Sequence, residues 1–90
     1  MQLEFKSEAE DDLARIFEFN MQRGERWAVR VESRLLSRCE ALLLSPRAGR
    51  RLADEGLRQL SVPDIQYVID YQPFDDRVSI VRIRSTREIR

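Results

Sequence analysis

The sequence predicts an α+β fold of order β-α-α-β-β-β, in which a helical hairpin packs on one face of a mostly antiparallel four-stranded sheet. Three observations predict it. Apolar residues recur at helical spacing from about residue 9 to residue 44, with a break at Gly24. Three short strand-like runs follow, separated by proline-containing turns. A brief alternating run precedes the helices. Elements that are apolar on one side only bury that side by packing in layers. Residues 1–90 are of a size that suits one domain.

The elements follow in order. Leu3 and Phe5 alternate with Gln2, Glu4 and Lys6, the period of a first strand. Ser7-Glu-Ala-Glu10 has the form of a capping box, and Glu8, Glu10, Asp11 and Asp12 suit the positive end of a helix dipole. Ala9, Leu13, Ile16, Phe17 and Asn20 fall on one face, so the first helix is expected to run to about Gln22. Gly24 stands where a left-handed residue would end it. The second helix is expected over roughly Glu25 to Leu44, with an apolar stripe of Ala28, Val31, Leu35, Cys39 and Leu42. Ser45-Pro46 stops it, because proline disfavours helical geometry in the residue before it.

Strands are expected at Leu57–Val62, Gln66–Gln72 and Arg77–Arg84, with Pro63-Asp64 and Pro73-Phe-Asp-Asp76 as turns. Simple alternation puts Tyr67, Ile69 and Tyr71 on one face. It groups Ser79, Val81 and Ile83 on one face of the last strand, and Ile80, Arg82 and Arg84 on the other.

Charge narrows the function. The net charge is zero, but it is built from blocks: −4 over 1–25, +4 over 26–58, −4 over 59–76 and +4 over 77–90. Alternating blocks predict polarised surfaces. Lys6 is the only lysine. Arginine suits bidentate contact with carboxylate or phosphate. The chain has no long uninterrupted apolar run, no signal-peptide pattern and no zinc-ligand spacing. With one cysteine, these features point to the cytoplasm, with no membrane association, no cofactor and no metal site. Cys39 lies on the apolar stripe and reads as a core thiol.

Arginine patterns mark two candidate sites. Arg26, Arg30, Arg34 and Arg38 recur every four residues, either as a phosphate-binding stripe or as a solvated helix face. Arg58, Arg82, Arg84 and Arg87 lie on or beside the strands and form the candidate binding set. Their bland alternative is surface pairing with Asp64, Asp70, Asp75 and Asp76, which contributes little. Histidine is absent, so the usual general base near neutral pH is missing. Glu88 and Tyr71 are the only proton acceptors near the arginines, and no residue is assigned a catalytic role.

Several segments carry a family resemblance: Leu43-Leu-Ser-Pro46, Gly49-Arg50, Gly56-Leu-Arg-Gln-Leu60, Tyr67-Val-Ile-Asp-Tyr71, Asp75-Asp-Arg-Val78, Ile80-Val-Arg-Ile83 and Arg87-Glu88. In this order and spacing the chain resembles the RelE/ParE superfamily of bacterial type II toxins. The first strand, the acidic helix start and Trp27-Ala28 are similar too.

The resemblance implies one of two activities. RelE-like members cut mRNA on the ribosome with several basic residues, often with a terminal Tyr or His. Their middle strand carries Tyr-Arg where this chain has Tyr67-Val68, and no tyrosine follows Arg87 here. Tyr67-Val-Ile-Asp-Tyr71 resembles instead the ParE branch, whose studied members poison DNA gyrase by protein binding. Ser85 departs from the histidine that is frequent at its position in that branch.

The expectation is therefore a ParE-like toxin, of the kind linked to plasmid stabilisation, that acts by binding. The resemblance implies a cognate antitoxin with an acidic, partly disordered carboxy-terminal segment, and a toxin-antitoxin hetero-oligomer. Arg58, Arg82, Arg84 and Arg87 are expected to touch the antitoxin or the target. The alternatives are a RelE-like mRNA endoribonuclease and a non-catalytic basic nucleic-acid-binding module.

Overall fold

The computed structural model describes residues 1–53 and 56–87. The elements are β1 (Gln2–Phe5), α1 (Ser7–Met21), α2 (Glu25–Ala41), β2 (Arg50–Arg51), β3 (Arg58–Val62), β4 (Tyr67–Pro73) and β5 (Arg77–Ser85). The strands form one sheet in the order β1-β5-β4-β3-β2. β1 lies parallel to β5, and the other neighbours are antiparallel. The sheet thus has five strands where four were expected. The addition, β2, is two residues long and pairs Arg50 with Gln59 and Arg51 with Arg58. Two adjacent arginines carry no apolar alternation, so periodicity has nothing to detect there.

The helical hairpin covers one face. Ala28, Val31, Leu35, Cys39 and Leu42 are all buried, as the stripe predicts. Most of this stripe joins Leu60, Val62, Ile69, Tyr71, Val78, Ile80 and Ile83 in the core. Burial pushes the Cys39 thiol up to about 12, with a smaller contribution from Glu40.

Simple alternation fails in β5. Asp70 pairs with Arg82 but Tyr71 pairs with Ile80, so a bulge at Val81 adds one residue to β5. The extra residue resets the parity. Val78, Ile80 and Ile83 therefore all join the core, whereas Val81 is only partly buried. The grouping of Ile80 with Arg82 and Arg84 is corrected accordingly.

Two helix-end expectations are also corrected. The N-cap of α1 is Lys6, in an extended conformation, and no side chain caps the helix. Pairing with β5 continues as far as the Lys6 N–H, which bonds Ile80 O at 2.9 Å. The helix therefore starts immediately afterwards and takes Ser7 into its first turn, which rules out the capping box. At the other end, the Gln22, Arg23 and Gly24 N–H groups bond the carbonyls three residues back at 3.3, 3.0 and 2.9 Å. This tightened turn ends α1 without a left-handed cap. Gly24, at φ 114° and ψ 151°, is instead the N-cap of α2.

The bounds of α2 are shorter than expected. It ends at Ala41, and Leu42, Leu43 and Leu44 continue as single turns bonded three residues back. No helix among the described residues is long and apolar enough to cross a membrane.

Candidate binding cleft and the arginines around it

Because β1 ends at Phe5, β5 has no strand partner on that side beyond Ile80. The Asp12 side chain from α1 takes that place. Its Oδ2 accepts the Ile83 N–H at 2.8 Å and the Arg82 Nε–H at 2.8 Å. Its Oδ1 accepts Arg82 Nη2 at 3.2 Å and a further bond from Arg15. Asp12 is 1% exposed. Burial alone would raise its pKa, but the Arg82 guanidinium, the Ile83 N–H and Arg15 together hold it below the usual carboxylate range. Arg82 is pushed up in turn, chiefly by its bond to Asp12.

Arg84 is similarly engaged. Its Nη2 donates to Asp70 Oδ2 at 2.6 Å, while Gln59 Nε2 donates to Asp70 Oδ1 at 2.8 Å. Asp70 is buried, so this pair lies across the sheet and is not a loose surface contact. Arg58 Nη1 donates to the carbonyls of Gly49 at 2.8 Å and Arg47 at 3.2 Å. Tyr71 holds the same loop from inside: its hydroxyl donates to Pro46 O and accepts from the Gly49 N–H, both at 2.8 Å.

Arg87 is placed differently. Its Nε donates to Gln66 Oε1 at 3.0 Å. Gln66 has a φ of 64°, a left-handed backbone uncommon for a non-glycine residue. Its carbonyl accepts the Thr86 N–H at 2.9 Å and the Thr86 hydroxyl at 3.2 Å. The β3–β4 turn thereby ties down the chain just after β5.

Arg87 lines a cleft of about 520 Å³ between the end of α1, the start of α2, the β3–β4 turn and the end of β5. Ile16, Phe19, Tyr67 and Ile83 contribute apolar surface, and Arg15, Arg23 and Arg87 supply cations. Arg23 lies over the Trp27 ring at 4.5 Å. Asn20 braces the wall. Its Nδ2 donates to Ile16 O at 2.8 Å and to the Tyr67 hydroxyl at 3.0 Å, and its Oδ1 accepts Trp27 Nε1 at 2.9 Å. The one carboxylate in the lining, Asp64, accepts Arg34 Nε at 2.9 Å. That bond holds its pKa below the usual value.

The four arginines of the candidate binding set are therefore not gathered into one patch. Arg87 lines the cleft, and Arg58 lines a separate hollow beside Arg47, Arg51 and Pro73. Arg82 and Arg84 line neither. Along α2, Arg26, Arg30 and Arg34 are exposed and Arg38 is half-buried, and only Arg34 reaches a carboxylate among the described residues. Tyr71 is fully buried with its hydroxyl bonded twice, which removes it as a proton acceptor for any bound substrate. Glu88 lies outside the described residues. Val68 is buried beside Arg84 in the strand register. No group of three or more potential metal ligands occurs among the described residues.

Periodicity missed three residues that shape this region. Asp12 reads as a dipole-compensating acid, although it stands three residues after Ala9 and four before Ile16 on the buried stripe. Asn20 falls on the apolar face, and its polar role needs Tyr67 and Trp27 to be visible. Phe19 lies off the main stripe and is 59% exposed.

The family model for the ParE toxin of the type II toxin-antitoxin system parDE matches residues 3–90. No curated protein matches the chain in sequence. The fold is similar to a chain of the chromosomal ParDE toxin-antitoxin system from P. aeruginosa, with a TM-score of 0.83 and 20% identity over 94% of this chain and 95% of that one. It is also similar to the isolated E. coli RelE toxin, with a TM-score of 0.69 and 18% identity over 92% of this chain and 81% of that one. A chain of the intact E. coli RelBE toxin-antitoxin complex gives the same score and identity over 92% and 93%.

Proposed function

The chain belongs to the ParE toxin family of type II toxin-antitoxin systems, and from that premise we propose that it acts by binding DNA gyrase and is neutralised by a cognate antitoxin. In this reading it works in the cytoplasm, as part of a toxin-antitoxin hetero-oligomer, and makes and breaks no bond in RNA.

The observation that carries the proposal is the internal engagement of the strand arginines. Arg82 is held by Asp12, Arg84 by Asp70, and Arg58 by two backbone carbonyls. An RNA-cleaving site of this type needs free cations around the scissile phosphate and a group to take the 2′-hydroxyl proton. The chain has no histidine, and the Tyr71 hydroxyl is enclosed. The cations left for a partner are those facing solvent, with Arg87 at the cleft. The exposed edges of Arg82, Arg84 and Arg58 remain in the proposed contact set as supporting surface.

Controlled expression in a bacterial host tests the proposal. Gyrase-linked DNA cleavage complexes and an induced DNA-damage response are expected. Rapid translational arrest with cut mRNA and intact DNA would overturn it in favour of the RelE-like activity. Harmless expression combined with salt-sensitive binding to RNA or DNA would favour a nucleic-acid-binding module.

A further inference from the structure

We propose that Gln66 is a positioning residue: it orients the Arg87 guanidinium for a partner without neutralising its charge. The inference rests on the toxin reading above, in which Arg87 belongs to the contact set, and deepens it by naming the residue that presents Arg87.

The first observation is a conflict between Gln66 and its own backbone. Gln66 closes the β3–β4 turn, where its N–H bonds Pro63 O at 3.2 Å, and its φ is 64°. Glycine takes that left-handed conformation without steric penalty, and asparagine tolerates it better than longer side chains do. The turn by itself therefore favours Gly or Asn over Gln. A residue kept against its local preference points to a constraint from elsewhere in the fold.

That constraint lies in the chain after β5. The Gln66 carbonyl accepts the Thr86 N–H at 2.9 Å and the Thr86 hydroxyl at 3.2 Å, while Gln66 Oε1 accepts the Arg87 Nε–H at 3.0 Å. The Ser85 hydroxyl oxygen accepts the Arg87 N–H at 3.2 Å. An exposed neutral hydrogen bond is weak alone. Here the backbone at both of its ends is already fixed, so little freedom is lost in making it. Glycine at position 66 would keep the turn and the carbonyl bonds, and would lose only the hold on the Arg87 side chain.

The second observation is the chemistry of the acceptor. Arg82 is held by the Asp12 carboxylate and Arg84 by that of Asp70, so both charges are balanced inside the fold. Arg58 is held by neutral carbonyls, but it lines a separate hollow. Gln66 and Arg87 line the cleft together, and Arg87 has no carboxylate partner among the described residues. An amide oxygen fixes the direction of the guanidinium and leaves its positive charge in place. The bond uses Nε, so Nη1 and Nη2 can meet an anionic group of the partner end-on.

Three variants of the intact chain test the inference. Gln66→Gly removes the acceptor and the left-handed penalty together. Gln66→Glu keeps an acceptor of the same length and adds a charge. Arg87→Ala removes the arginine. Heteronuclear NMR reads the order of the Arg87 Nε–H, growth on controlled expression reads toxicity whatever its target, and thermal melts read stability. In Gln66→Gly the Arg87 signal should become as mobile as that of exposed Arg26. In Gln66→Glu it should stay at least as ordered as in the parent. Toxicity should fall in both toward that of Arg87→Ala, because one variant loses the direction of Arg87 and the other balances its charge. Gln66→Gly should melt at or above the parent temperature, since glycine accepts the backbone that Gln66 strains.

The inference fails if Arg87 is equally ordered in Gln66→Gly, or if Gln66→Gly or Gln66→Glu stays fully toxic while Arg87→Ala does not. A lower melting temperature for Gln66→Gly also overturns it, since Gln66 would then serve the turn alone. A harmless parent, or Arg87→Ala as toxic as the parent, removes Arg87 from the contact set and the inference with it. Growth arrest without gyrase-linked DNA damage removes only gyrase as the target and leaves the comparison of variants standing.

Discussion

Asp12 and Arg82 stand 70 residues apart in sequence and form a two-pronged ion pair, at 2.8 and 3.2 Å, where β5 runs past the end of β1. The same carboxylate takes the Ile83 N–H. A helix side chain thus completes a strand edge that the four-residue β1 is too short to cover. An uncovered edge exposes unpaired backbone groups, and Asp12 removes that liability here.

Asp12→Ala is therefore expected to cost about 2–4 kcal/mol, because it strands both a buried backbone donor and the Arg82 guanidinium. Asp12→Asn keeps an acceptor for Ile83 and should cost less. Urea unfolding of the three proteins checks the order. Equal stability of Asp12→Ala and the parent would show that the pair contributes nothing.

The pair also sets an acid limit. The pKa of Asp12 in the folded protein lies below its ordinary value of 3.8. Its contribution is therefore complete above that value and is lost as pH falls through the lower, folded-state pKa. Stability measured from pH 6 downward should fall more steeply for the parent than for Asp12→Asn. Parallel curves would mean that other carboxylates control acid unfolding.

The loop clamp gives a second stability test. Tyr71→Phe removes the partner of both Pro46 O and the Gly49 N–H in a buried setting, at a cost of about 1–3 kcal/mol. Gly49→Ala should also destabilise, by about 1–3 kcal/mol, because a Cβ there would lie 2.7 Å from Gln59 O and 2.8 Å from the Tyr71 ring. Thermal melts decide. An unchanged midpoint for Gly49→Ala would mean that the loop relaxes without penalty.

Arg82 and Arg87 are expected to separate in a functional assay. Arg82→Ala should lower the melting temperature, because it leaves Asp12 buried with part of its hydrogen bonding lost. Arg87→Ala, on an exposed bond to Gln66, should change stability by no more than about 0.5 kcal/mol. Arg87→Ala should nevertheless reduce toxicity or antitoxin affinity. If neither toxicity nor affinity changes, Arg87 leaves the contact set.

Cys39 should behave as an inert thiol. With its pKa pushed up to about 12 by burial, it carries almost no thiolate at pH 8. An aromatic disulfide reagent should label it only as fast as the fold opens, and rapidly in denaturant. Fast labelling of the native protein would place the thiol at the surface.

The sequence by itself determined the order of the main elements, the buried stripe of α2 and the positions of every strand but β2. Each of these is carried by local period: Ala28, Val31, Leu35, Cys39 and Leu42 sit at helical spacing whatever they pack against. The family resemblance was legible in the same way, from short segments in a fixed order.

Only the tertiary structure decided which charges were free. Asp12 and Arg82, Asp70 and Arg84, and Arg58 and the Gly49 carbonyl meet across 70, 14 and 9 residues, and no local period encodes such meetings. The bulge at Val81 belongs with them, since one extra residue in a strand is defined only by its partner strand. So does the cleft, where Phe19, Trp27, Gln66 and Arg87 come together from four segments. Periodicity reports which side of an element is apolar, but the pairing of a charge depends on what the other layers bring within about 3 Å of it.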